Sequence, residues 1–187
     1  MARGYYDGDT FERNGYTFRV RLTRDEDICE PWKEFDGHGP VSEWTRRGKA
    51  SGERILVEDR GSYRYYDFRA AVAIARRDGW GCEHTKVVET DGQRIVTHGP
   101  HTSRGARAAC AAETDYNYLR RFCEGQWGYV CVEVTHVDDE GTDGETTCLG
   151  GVESDSSDYI ETVCNELADE LLQRIEVENP DIMLSEN

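Results

Sequence analysis

The sequence is poor in lysine, proline and methionine, and it has no long apolar run. Three of its 22 basic residues are Lys (Lys33, Lys49, Lys86), so the nuclease pairing of carboxylates with a nearby lysine has one candidate, Glu83 with Lys86. No stretch approaches the ~20 apolar residues that span a bilayer. The N-terminal MARGYYDGDT lacks the apolar core of a signal peptide, and a cytoplasmic protein with no membrane partner is expected. Missing too are the Gly-Lys-Ser/Thr phosphate loop, the dinucleotide-binding glycines, His-Glu-x-x-His and the Gly-x-Ser-x-Gly elbow. With those motifs go the familiar routes to nucleotide, metalloprotease and serine-hydrolase chemistry, and the expectation is a protein that is not an enzyme.

What is present can fold. A mean hydropathy of −0.77 is low, but ten Tyr, four Trp and five Phe supply the bulk that disordered chains lack. A length of 187 residues predicts a single domain over 1–187. Seven cysteines, odd in number and widely spread, argue against a disulfide framework. Cys110, Cys123, Cys131 and Cys164 fall among apolar residues, where a thiol packs as a small hydrophobe.

Charge is unevenly placed. Residues 1–124 carry 21 of the 22 basic residues and 21 of the 38 carboxylates, whereas 125–187 set Arg174 alone against 17 carboxylates. The net charge of −16 thus resides in the last third. Such a block repels nucleic acid and acidic membranes and attracts basic surfaces.

Periodicity predicts an α+β fold, an antiparallel sheet of hairpins packed by two to three helices. Asn14-Gly15 marks a type I′ hairpin between Phe11 and Leu22, with Phe11 opposite Phe18. Residues 25–52 are an irregular loop. A strand over Arg54–Glu58 and a helix capped by Asp67 and ended by Gly79 follow. Asp91-Gly92 closes a second hairpin, Thr85–Thr90 with Gln93–His98, and a helix runs from Thr102 or Ser103 to Cys123. Trp127-Gly128 leads a strand to Val137, and an acidic turn joins it to a strand over Thr146–Val152. The last helix, capped by Asp155, is long and amphipathic, with Ile160, Val163, Cys164, Leu167, Leu171 and Ile175 on one face.

Three constellations carry candidate function. The acidic face comprises Asp158, Glu161, Glu166, Asp169 and Glu170 on the last helix, with Asp138, Asp139 and Glu140 in the turn before it. The turn itself lacks the ligand spacing of a calcium loop. An aromatic loop contains Trp32, Phe35, His38 and Trp44, anchors for a partner protein if exposed. Cys82, His84, His98 and His101 flank the second hairpin, whose register sets Thr85 against His98 and brings the four near its open end, a candidate zinc site.

The strings GYYDGDTFERNGYTFRVRL, DGHGPVSEW, GERILVEDRGSYRYYDF and IARRDGW resemble a family of small acidic proteins encoded by bacteriophages and prophages of GC-rich bacteria. The resemblance implies a phage setting, with no activity or site residues to carry over. Charge and setting lead to one expectation: a non-enzymatic binding protein, of the DNA-mimic anti-defence kind, that engages a basic host protein through its acidic third without binding nucleic acid itself. The alternatives are a zinc-stabilised enzyme or accessory factor built on the 82–101 cluster, and an adaptor that binds through the Trp32–Trp44 loop.

Overall fold

The computed structural model describes residues 5–80, 85–90, 93–98 and 103–178. The element order is β1 (Thr10–Arg13), β2 (Tyr16–Arg24), α1 (Pro31–Glu34), β3 (Glu53–Asp59), β4 (Ser62–Asp67), α2 (Phe68–Asp78), β5 (Thr85–Thr90), β6 (Gln93–His98), α3 (Arg104–Cys123), β7 (Tyr129–Val137), β8 (Asp143–Glu153) and α4 (Ser157–Glu178). The fold is α+β, and every strand pairing is antiparallel. The chain packs as two compact units, Met1–Ile28 with Trp127–Asn187, and Cys29–Gln126.

The first unit is a four-stranded sheet, in the order β1-β2-β7-β8, with α4 packed on it. Asn14 and Gly15 both take positive φ (52° and 82°), as a type I′ turn demands, and Phe11 pairs with Phe18 as their spacing requires. Because side chains alternate along a strand, Phe18 and Val20 of β2 and Val132 and Val134 of β7 project to one face. There they meet Ile160, Val163, Cys164, Leu167, Ala168, Leu171 and Leu172 of α4. Burying each of the larger side chains contributes about 1.5–3 kcal/mol.

Two boundaries differ from expectation. β8 begins at Asp143, three residues before Thr146, because the acidic turn is short: the Asp138 carboxylate accepts from the N–H groups of Glu140 and Thr142 and closes it. The last helix starts at Ser157, two residues after Asp155, and the Ser156 carbonyl accepts from the Ile160 N–H at 2.9 Å.

Cys164 is fully buried in the α4 stripe. Burial, with a contribution from the Glu161 charge, pushes its thiol from 9.0 up to about 11. The folded protein therefore keeps this proton where the unfolded chain sheds it. The resulting stability is complete below about pH 9 and declines as pH rises toward 11. Cys164→Ala is expected to flatten the slope of unfolding free energy in this range by about 1.4 kcal/mol per pH unit. Urea unfolding on either side of pH 9 measures it, and an unchanged slope excludes Cys164 as the source.

The second unit contains the β3–β4 and β5–β6 hairpins with α1, α2 and α3. The Asp67 carboxylate accepts from the Ala70 N–H and caps α2, and Gly79, at φ 80°, ends it. Ser103 caps α3. Ala71 and Ala75 of α2 and Ala108, Ala111 and Ala112 of α3 are all buried, and side chains this small bring helix backbones close. Cys110, expected among the apolar residues, is exposed instead. The 25–52 stretch contains the single turn α1 and two isolated bridges, Val41 to Tyr66 and Thr45 to Tyr63, that tie it to β4.

Candidate functional site

The charge division follows the two units. Met1–Ile28 with Trp127–Asn187 holds six Arg against 23 Asp and Glu, a net −17; Cys29–Gln126 holds 16 basic residues against 15 acidic ones, a net +1. The basic N-terminal hairpin is thus part of the acidic unit, and it answers some of the carboxylates singled out above. The Arg13 guanidinium grips Asp169 through two bonds of 2.5 and 2.7 Å and donates to the Asn165 side-chain oxygen at 2.9 Å. Arg19 pairs with Asp143, and Arg174 with Glu170 at 2.7 Å. Asp169, Glu170 and Asp138 therefore do local structural work.

Asp139, Glu140, Asp158 and Glu166 are exposed and Glu161 is half-buried, and among the described residues none of the five has a Lys or Arg partner. Thr17 pairs with Val137, so the β1–β2 and β7–β8 turns lie at the same end of the sheet. The Arg13–Asp169 contact brings the middle of α4 to that end. Glu166 therefore shares the acidic end with Asp139 and Glu140, while Asp158 lies two turns or so further along α4, about 12 Å away.

The aromatic loop folds back on one arginine. Arg64 of β4 is 6 % exposed, and its guanidinium carbon lies 5.2 Å from the ring centres of both Trp32 and Trp44. Glu30 accepts from its Nη2 at 2.9 Å, while Nε and Nη1 have no hydrogen-bond acceptor. The indole faces supply the remaining attraction, as cation–π contacts. Burial pushes the Glu30 carboxyl up, but its own N–H, Lys33 and the Arg64 charge outweigh that and hold it below its ordinary value. Trp32 also packs edge-on to Phe122. Trp44 and Phe35 remain 45 and 46 % exposed.

The fourth member of that loop, His38, belongs to a different arrangement. Its Nδ1 lies 2.6 Å from Asp115 Oδ1 on α3. Asp115 Oδ2 accepts from the Gly39 N–H at 2.7 Å and from the Tyr66 hydroxyl at 2.6 Å. Tyr66 is fully buried, and burial together with the Asp115 carboxylate raises its pKa far above the usual phenol value. The His38 ring stacks on Tyr118, with centres 5.6 Å apart and planes 9° from parallel. Above this network opens a pocket of about 330 Å³ lined by Gly37, His38, Trp80, Ala111, Thr114, Asp115 and Tyr118.

Sequence reading placed His38 among the loop aromatics and did not single out Asp115 or Tyr66. One signal was there. Ala108, Ala111, Ala112 and Leu119 are the buried positions of α3, and Asp115 occupies the stripe between them at helical spacing. A carboxylate in an apolar stripe needs donors around it.

Of the zinc candidates, Cys82, His84 and His101 lie outside the described residues. His98 is placed only by its backbone on β6, opposite Thr85 as the turn register predicts. Among the described residues, no three His, Cys, Asp or Glu side chains converge as metal ligands. No helix among them is long and apolar enough to cross a membrane. Compared with protein-family models, curated proteins and solved structures, the chain matches none.

Proposed function

We propose that this is a non-enzymatic binding protein whose acidic unit engages a basic, nucleic-acid-binding surface of a host or defence protein, acting in the cytoplasm of a phage-infected cell as a DNA mimic. The observation that carries the reading is the concentration of −17 in one compact unit, against +1 in the other. Charge so segregated steers basic partners and disfavours direct contact with nucleic acid. α4, at 22 residues, is about 33 Å long, a length over which duplex DNA presents roughly 20 phosphates. α4 and the β7–β8 hairpin together carry fourteen carboxylates, among them Asp143, Asp169 and Glu170, which hold arginines.

The test is capture from host lysate at low and high salt, followed by partner affinity against ionic strength. The informative variant neutralises Asp139, Glu140, Asp158 and Glu166, since Asp169 and Glu170 hold arginines in place. Its fold is expected to be intact and its affinity at low salt about tenfold weaker, with a shallower salt dependence. Equal affinity and equal slope would reduce the carboxylates to solvation and turn attention to Trp44 and Phe35.

A further inference from the structure

The second unit carries a site that the acidic reading does not use. We propose that the His38 pocket binds a small, neutral, planar ring bearing one N–H or O–H donor, of which indole and phenol are the simplest forms.

The argument starts from protons. A carboxylate only accepts hydrogen bonds, so the hydrogen shared by His38 and Asp115 sits on Nδ1. In the neutral ring Nε2 is then a bare acceptor, and among the described residues no donor reaches it. Asp115 cannot swing away to serve another group, because Gly39 and Tyr66 hold its other oxygen. The imidazole is therefore clamped by its carboxylate on one edge and by the Tyr118 ring on one face, with a single unmet hydrogen-bonding atom.

The walls select the rest of the ligand. Trp80 and Tyr118 offer aromatic faces and Ala111 a methyl group, and aromatic rings favour stacked or edge-on aromatic partners. Among the described residues no lysine or arginine lines the pocket, and the Asp115 carboxylate lies in its wall, so an anion finds no counter-charge among them. The cavity lies at the small end of the range for ligand sites, which suits one or two fused rings. Trp80 is set by the end of α2, where its N–H bonds to the Ala75 carbonyl at 2.9 Å, and His38 by α3, so both sides of the pocket rest on helices.

The experiment compares indole with 1-methylindole on the full-length protein, following the ring resonances of Trp80 and His38 by NMR. Indole is expected to bind with a Kd of about 1 mM or tighter, and 1-methylindole, whose donor is gone, about tenfold more weakly. Thr114 is exposed at the rim, so Thr114→Trp fills the pocket without touching the core and should abolish both shifts. His38→Phe should erase the difference between the two ligands. Absence of saturable indole binding, equal affinity for the two indoles, or binding that survives Thr114→Trp would each overturn the proposal.

Discussion

Phe18→Ala should lower the stability of the sheet-and-helix unit by about 3–5 kcal/mol, the usual cost of removing a buried phenylalanine. Phe18 is fully buried on the sheet face under α4. Its ring lies 5.5 Å from Phe11 across the hairpin and 5.9 Å from His136 on β7, so truncation breaks contacts with both neighbouring strands. The cavity would be walled by β-strands on one side and a helix on the other, neither of which collapses easily. A chain of this size should show a fall in melting temperature of roughly 10 °C. Urea unfolding gives the free energy directly, and Phe11→Ala, at a half-buried position, should cost visibly less. A loss under about 1 kcal/mol would mean that the α4 seam is not the principal core of the unit.

Gly39→Ala should be about as damaging, by a different route. A Cβ at residue 39 would come within 2.4 Å of the Tyr66 hydroxyl oxygen, 2.5 Å of its Cζ and 2.6 Å of the Ala71 Cβ. Tyr66 and Ala71 are fully buried, so the loop must move instead, and with it the Gly39 N–H that donates to Asp115. Overpacking typically costs 1–3 kcal/mol, and an orphaned buried donor adds 1–3 more, so a loss of about 3 kcal/mol or more is expected. Tyr66→Phe should relieve only part of it, since Cζ and Ala71 remain. Thermal unfolding of the two single variants and the double variant forms the cycle that measures the relief. A near-neutral Gly39→Ala would show that the 37–39 segment is not held against Tyr66 as described.

Local signals were readable in this sequence and distant ones were not. Asn14-Gly15 set both the turn and the Phe11–Phe18 register, and Asp91-Gly92 set Thr85 against His98. The Ile160–Ile175 stripe marked α4. β4 escaped because Arg64, Tyr65 and Tyr66 are buried in succession, which erases the alternation that betrays a half-wet strand. Its turn also uses Arg60 at φ 47° before Gly61, a pair without the usual Asn or Asp. The pairing of β2 with β7 and the meeting of His38, Tyr66 and Asp115 join residues dozens of positions apart, and no periodicity encodes such encounters. For the same reason the acidic third looked unopposed: Arg13 lies 156 residues from Asp169.

The segment Cys29–Gln126 interrupts the other unit, yet Arg24 and Val130, on either side of the interruption, stand opposite each other in the β2–β7 ladder. During synthesis the β1–β2 hairpin must therefore wait for its partner strand while the whole intervening unit is made, roughly 5–20 s at ordinary translation rates. A lone hairpin is marginal in water, and its open edge is a template for pairing with another nascent chain. Arg19, Arg21 and Arg24 alternate along the waiting part of β2 or close it. Charges along an unpaired strand deter such pairing, so the arginines guard the growing chain against aggregation before Glu133 and the carboxylates beyond it arrive.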